Sequence, residues 1–86
     1  MKTVRIGAIW CPSCLIMRPL FEKVETMFPQ ITSLVYDIDL DEEASDYNVG
    51  SILPVFILLD ENNSEISRLI GEQKKEVLVK MIEDHL

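Results

Sequence analysis

Cysteine and histidine are scarce in this chain of 86 residues, which has two cysteines and one histidine. The cysteines are Cys11 and Cys14, and the histidine, His85, lies near the other end of the sequence. A structural zinc site uses four such side chains. One chain therefore lacks a full set, although a dimer sharing two cysteine pairs could complete it. The acidic residues also lack the spacing of a calcium-binding loop.

Positively charged residues are sparse as well. The chain has 8 Lys and Arg against 15 Asp and Glu, a formal net charge of -7, and no Lys or Arg lies between Lys23 and Arg68. Such a negative field repels phosphate, so we expect no binding to nucleic acid or to anionic membranes. We interpret the acidic excess as a solvated surface, with a specific basic partner as the alternative.

No apolar run is long enough to cross a bilayer, since the longest extends only from Ile52 to Leu59. The sequence also shows no charged leader followed by a long apolar core, so we expect a cytoplasmic protein. In that compartment a close cysteine pair serves catalysis, redox sensing or metal binding more often than permanent cross-linking. The length and the 48% content of hydrophobic residues predict one globular domain, residues 1–86, which we expect to be a monomer.

Hydrophobic periodicity predicts a strand over Lys2–Ile9 and then a helix whose apolar residues recur at three- and four-residue steps. Pro19 lies inside this helix and should bend it. The apolar helix face comprises Ile16, Met17, Leu20, Phe21, Val24, Met27 and Phe28.

The rest of the chain predicts one more strand and a short helix, Ile31–Asp39 and Asp41–Tyr47, and then a hairpin and a final helix. The hairpin strands are Ile52–Leu59, apolar enough to be buried on both faces, and Glu65–Ile70. The final helix, from about residue 74 to 85, has an apolar face of Val77, Leu78, Met81 and Ile82. The order β-α-β-α-β-β-α predicts an α/β fold, a four-stranded mixed sheet with helices on both faces.

The segment Trp10-Cys11-Pro12-Ser13-Cys14 lies where the first strand gives way to the first helix. Because Cys14 follows Cys11 by about one helical turn, the two sulfurs can form a reversible disulfide. The positive end of a helix stabilises a thiolate at an exposed position, so we predict Cys11 as the nucleophile. We predict Cys14 to be less exposed and to act as the resolving thiol.

Other interpretations of these residues stay open. The cysteines could be small core residues or half of a zinc site, which would make the chain a metal-binding or redox-sensing module. Trp10 could be core packing, but its place beside the thiols favours contact with a substrate.

The cysteine motif, Pro19 within the helix and Leu53-Pro54 at a strand start together resemble the thioredoxin superfamily over essentially the whole chain. Trp10 before the first cysteine is similar to thioredoxin, whereas Pro12 directly after it is similar to glutaredoxin. The resemblance implies a minimal thioredoxin-like fold. It also implies a thiol-disulfide oxidoreductase that needs no cofactor, acts on protein disulfides and draws electrons from an upstream reductase.

The resemblance further implies that Pro54 is cis and lies opposite the cysteine pair. There the backbone of Leu53 would pair with an extended substrate. Together with Trp10 and Pro12, these residues form the predicted substrate-binding set. Gly71 matches a glycine that the family carries beyond its last strand.

The chain departs from the family at three positions. Arg5 stands where thioredoxin usually carries a buried Asp, Val35 lies near the position of its companion Lys, and Val55 replaces a common Thr. Because a buried lone charge is costly, we expect the end of Arg5 to reach solvent or an acid. Glutaredoxin's glutathione-binding signature is not apparent. Because Pro12 is similar to glutaredoxin, a glutathione-linked reductase is nevertheless the alternative function.

Overall fold

A computed structural model describes residues 1–86 and contains seven helices and strands in the predicted order. They are β1 (Lys2–Gly7), α1 (Pro12–Met27), β2 (Thr32–Asp37), a 3-10 helix (Glu42–Tyr47), β3 (Val55–Leu59), β4 (Glu65–Ile70) and α2 (Lys75–Glu83). None of these helices is long and apolar enough to cross a membrane.

The four strands form one mixed sheet in the order β2-β1-β3-β4. β1 runs parallel to β2 and antiparallel to β3, and β3 runs antiparallel to β4. The carboxyl ends of β1, β2 and β4 and the amino end of β3 therefore meet at one edge of the sheet. The cysteine motif directly follows β1, so this edge holds it.

α1 and α2 pack on one face of the sheet, and the 3-10 helix covers the other through Ala44. On the first face, Phe21 of α1 stacks on Phe56 of β3 with ring centroids 5.1 Å apart. Alternate residues of a strand point to opposite faces, so β3 contributes Phe56 and Leu58 to one core and Val55, Ile57 and Leu59 to the other. All five residues of β3 are buried, which confirms the prediction of a strand that is apolar on both sides.

Three strands are shorter than predicted. β2 covers Thr32–Asp37 and not Ile31–Asp39. β1 ends at Gly7 and β3 begins at Val55, so Ile9 and Ile52 lie in loops and are 75% and 60% exposed. After β1 the chain turns toward α1, and the Cys11 N–H donates to the Ala8 carbonyl at 3.2 Å. These apolar residues are adjacent to the cysteine motif and not part of the core.

Both apolar helix faces are also narrower than predicted. Ile16 and Met27 of α1 and Val77 of α2 are exposed, whereas Met17, Phe21 and Val24 are buried. A helix that rests on a sheet buries only the middle of its apolar stripe, and the sequence periodicity does not show where the contact ends. α1 continues through Pro19.

Candidate dithiol site

Cys11 is the N-cap residue of α1, and Pro12 occupies the first turn. The backbone of Cys11 is extended, and its Sγ accepts the Cys14 N–H at 3.3 Å. The first N–H groups of a helix have no partner within the helix, so this sulfur takes the place of a capping oxygen. The same N–H group and the helix dipole stabilise negative charge on the Cys11 sulfur.

Cys11 is only 6% exposed, whereas Cys14 is partly exposed. The prediction that Cys11 would be the more exposed thiol is therefore wrong. Its Sγ lies 3.9 Å from the carbonyl oxygen of Leu53, 42 residues along the chain. This distant segment covers Cys11, and the local motif gives no sign of it.

The Leu53-Pro54 peptide bond is cis, as the resemblance implies, and Pro54 is buried. The Pro54 carbonyl accepts the Gly71 N–H at 2.8 Å. Gly71 has a φ of +83°, a backbone conformation that favours glycine. The Leu53-Pro54 segment is thus hydrogen-bonded to the residue that follows β4. The structure places Leu53 and Pro54 beside the dithiol, as predicted.

Cys14 faces a cleft of about 350 Å³ between α1 and the β1–β2 side of the sheet. Residues that line the cleft include Arg5, Gly7, Cys14, Arg18, Asp37 and Asp41. Gly7 lies close to the second thiol, because a β-carbon at that position would be 3.0 Å from the Cys14 Sγ. A side chain at Gly7 would therefore push the second thiol out of place.

Burial raises the pKa of Cys14 to about 11, and the hydrogen bond with Cys11 and the negative charge of Asp37 act in the same direction. Asp37 pairs with Gly7 in the β1–β2 register, which brings its charge to this side of the site. At neutral pH Cys14 is thus a protonated thiol. This asymmetry agrees with Cys11 as nucleophile and Cys14 as the thiol that reacts second.

Arg5 reaches an acid, which confirms the expectation for this residue. Its Nε lies 3.1 Å from Oε2 of Glu25 in α1, and 15% of each side chain is exposed. The N–H is not aimed at the oxygen, so the contact is an ion pair and not a hydrogen bond. The guanidinium also lies over the Phe21 ring, 5.7 Å from its centroid. Burial raises the pKa of Glu25, and the charge of Arg5 opposes that shift.

Two carboxylates are bound to the cysteine motif itself. The indole N–H of Trp10 donates to Asp39 Oδ2 at 2.6 Å, and the Ser13 hydroxyl donates to Glu72 Oε2 at 2.8 Å. Trp10 is 65% exposed and so available for contact with a substrate. Pro12 is also exposed.

Sequence reasoning missed Gly7, Asp39 and Glu72. The two acids lie 29 and 59 residues from their partners in the motif, and no local pattern signals such contacts. A glycine at the end of a strand is the one available signal, because it often marks a close approach of another group.

No group of three or more His, Cys, Asp or Glu side chains is arranged to hold a metal ion. His85 is at the C-terminal end of α2, where its Nδ1 lies 2.8 Å from the Met81 carbonyl. It is thus placed away from the dithiol, at the far end of the last helix.

Two cysteines at the start of the first helix, beside a cis-proline on a four-stranded mixed sheet, define a thiol-disulfide exchange protein of the thioredoxin-like class. The sequence model described as Thioredoxin matches residues 3–84. The chain is 35% identical to a thioredoxin of Chlamydia trachomatis over 79 residues, which covers 91% of this chain and 76% of the relative. It is 30% identical to Thioredoxin-1 of Saccharomyces cerevisiae over 71 residues, covering 83% and 68%.

Solved structures agree with these matches. The fold is similar to that of Fasciola hepatica thioredoxin, with a TM-score of 0.86 and 27% identity over 99% of this chain and 80% of the other. It is also similar to thioredoxin NaTrxh of Nicotiana alata, with a TM-score of 0.85 and 29% identity over 98% and 71%. The chain belongs to the thioredoxin family and is a thiol-disulfide oxidoreductase. The comparisons favour neither the glutathione-linked nor the metal-binding alternative.

Proposed function

We propose that this protein reduces protein disulfides through Cys11 and Cys14. The observation that carries the proposal is the unequal setting of the two sulfurs. Cys11 Sγ accepts an N–H at the positive end of α1, while burial holds the pKa of Cys14 at about 11. Cys11 is therefore the sulfur that attacks the substrate, and Cys14 stays protonated until the mixed disulfide has formed.

In the first step the Cys11 thiolate attacks one sulfur of the substrate disulfide. The bond between the two substrate sulfurs breaks, and the second substrate sulfur leaves as a thiolate and takes a proton from solvent. Because Cys11 is nearly buried beneath Leu53, the substrate must displace the contact between its Sγ and the Leu53 carbonyl. An extended substrate segment that pairs with the Leu53 backbone does so.

In the second step Cys14 loses its proton to solvent in the cleft, and its thiolate attacks the Cys11 sulfur of the mixed disulfide. An intramolecular disulfide forms and the substrate leaves as a thiolate, which is then protonated. Two electrons have moved from the dithiol to the substrate. An upstream reductase returns two electrons to the Cys11–Cys14 disulfide, and we propose that this cycle runs in the cytoplasm with the protein as a monomer.

A redox titration with thiol trapping tests the proposal. We expect Cys11 and Cys14 to interconvert between a dithiol and an intramolecular disulfide at the poise of cytosolic glutathione. Failure to interconvert, in protein that is folded by circular dichroism, would reject dithiol chemistry.

Single cysteine variants test the assigned roles. Cys11→Ser should abolish turnover of a protein disulfide, because no thiolate remains at the helix N-terminus. Cys14→Ser should accumulate a mixed disulfide between Cys11 and the substrate, detectable by mass spectrometry. Equal residual activity in the two variants would contradict the assignment.

The electron donor is tested by offering the oxidised protein two reductants. Rapid reduction by a thioredoxin reductase is the expected result. Reduction by glutathione alone, together with retention on a glutathione column, would instead favour the glutathione-linked alternative.

A further inference from the structure

The dithiol lies between two carboxylates that come from opposite sides of the sheet. Asp39 follows β2 and Glu72 follows β4, and these two strands are the outer strands in the order β2-β1-β3-β4. Both carboxylates accept a hydrogen bond from the cysteine motif, Asp39 from Trp10 at 2.6 Å and Glu72 from Ser13 at 2.8 Å. A substrate segment seated at Cys11 therefore has a negative charge on each side.

The surface between these carboxylates is apolar. Ile9, Trp10 and Ile52 are 75%, 65% and 60% exposed, although side chains of this kind are usually buried. Ile52 lies next to Gly71, since a β-carbon on Gly71 would be 3.6 Å from the Ile52 Cγ2. Exposed apolar side chains thus lie beside both acids, Trp10 at Asp39 and Ile52 next to the residue that precedes Glu72.

Nearby cations do not cancel the two charges. Arg5 and Arg68 are each paired with a carboxylate, at 3.1 and 2.6 Å. Arg18 lines the cleft beside Cys14, Lys74 follows Glu72 by two residues, and neither is in an ion pair. Asp37 and Asp41 line the same cleft, so with Asp39 and Glu72 four carboxylates lie around the dithiol, and the net charge of the chain is -7.

We propose that this surface selects basic substrates, namely extended peptide segments in which the disulfide cysteine is adjacent to an apolar residue and flanked by Lys or Arg. The apolar residue covers Trp10 and Ile52, and the flanking cations approach Asp39 and Glu72. A substrate flanked by Asp or Glu is repelled by the carboxylates of Asp39 and Glu72 and binds more weakly. The inference rests on the proposed function, because selection is measured as the reduction of a disulfide.

The test compares two synthetic peptide disulfides that share one apolar residue and differ only in their flanks, Arg in one and Glu in the other. A pair of unit charges about 4 Å apart in water is worth about a fivefold change in an equilibrium. We expect kcat/KM to be about five- to tenfold higher for the Arg peptide at low ionic strength. The ratio should fall toward one as salt is raised to about 1 M, because the screening length falls from about 30 Å at 0.01 M to about 3 Å at 1 M.

Two conservative variants locate the effect. Glu72→Gln and Asp39→Asn remove the charges but keep an amide oxygen that accepts from Ser13 or Trp10. Each should lower the Arg/Glu preference by about two- to threefold, since each removes one of two charges. Glu83→Gln is the matched control, because this exposed residue lies in the last turn of α2, about 12 Å along the helix from its start. We expect it to leave the preference unchanged.

Each outcome decides between the two proposals. If neither peptide is reduced, the proposed function fails. If both peptides are reduced with equal kcat/KM, the function stands and the charge selection is wrong. If Glu83→Gln lowers the preference as much as Glu72→Gln and Asp39→Asn do, the effect belongs to the net charge of the chain, and the assignment to Asp39 and Glu72 is overturned.

Discussion

At the scale of single residues, the two thiols of the motif lie in different surroundings. Cys14 is partly exposed to the cleft, and yet burial of its sulfur raises its pKa to about 11. Cys11 is nearly buried but lies at the positive end of a helix. In the proposed mechanism the order of reaction follows from which sulfur is stabilised as a thiolate, whereas the exposure of the two residues alone would predict the reverse order.

We expect alkylation of Cys14 in the reduced protein to show a midpoint near pH 11, measured site by site with mass spectrometry. The folded pKa exceeds the ordinary value of 9.0, so the stability that this thiol contributes is full below pH 9 and is lost as the pH rises toward about 11. In Cys14→Ser the free energy of unfolding should fall less between pH 9 and about pH 11 than it does in the parent protein, because the thiol that titrates there is absent. A midpoint at or below 9.0 would contradict the prediction.

The absence of a side chain at Gly7 leaves space for the Cys14 sulfur. Gly7→Ala places a β-carbon 3.0 Å from the Cys14 Sγ, so we expect a loss of about 1–3 kcal/mol in the free energy of unfolding and slower closure of the disulfide. Gly50→Ala is the control, since nothing lies within 4 Å of its β-carbon. Urea denaturation of both variants makes the comparison, and equal stability would rule out the steric argument.

At the scale of helices and strands, α1 is held to the sheet by only part of its apolar stripe. Phe21 stacks on Phe56 across the interface, while Ile16 points to solvent. Phe21→Ala should cost about 3–5 kcal/mol, as is usual for a buried aromatic residue. Ile16→Ala should stay within about 0.5 kcal/mol of the parent protein, as exposed positions do. Similar losses in thermal or urea denaturation would show that the stripe is buried over its full width.

The ion pair between Arg5 and Glu25 joins β1 to α1. Arg5→Met leaves the Glu25 carboxylate in a mostly buried place without its partner, and we expect a loss of about 1–2 kcal/mol at pH 7, less than for a fully buried pair. Because burial already raises the pKa of Glu25, removing Arg5 raises it further. The contribution of protonated Glu25 is full at low pH and is lost as the pH rises through that raised value, so the loss in the variant should grow with pH.

The double variant Arg5→Met, Glu25→Gln provides the control for this interpretation. It removes the buried charge and should recover part of the lost stability at pH 7. Urea denaturation at several pH values measures both effects. No recovery in the double variant would show that Arg5 acts through its packing on Phe21 and not through its charge.

At the scale of the whole molecule, two cores share one sheet, and β2 forms one of its outer strands. An outer strand can pair with another chain, but β2 ends in the acidic Asp37, and the chain carries a net charge of -7. We expect a monomer of 9.9 kDa by size-exclusion chromatography with light scattering, at low and at moderate salt. A stable dimer in the reduced protein would contradict this.

Sequence reasoning recovered the order of the elements because each depends on a few neighbouring residues. The alternation in β1, the turn between β3 and β4 and the apolar run of β3 are all local signals. The boundaries at Ile9 and Ile52 were wrong for the opposite reason. Both residues are apolar, and only the path of the chain around the dithiol shows that they lie outside the sheet.

The sequence by itself predicted a dithiol at the start of a helix, a four-stranded mixed sheet, and an Arg5 whose end reaches solvent or an acid. Only the tertiary structure decided that Cys11 is the more buried of the two residues, that a β-carbon at Gly7 would crowd the Cys14 sulfur, and that Asp39 and Glu72 are bound to the motif. The spacing of two cysteines is a property of four consecutive residues. The contacts that Asp39, Leu53 and Glu72 make with the motif join residues 29 to 59 apart, and these residues meet because the order of the strands brings their loops to one end of the sheet.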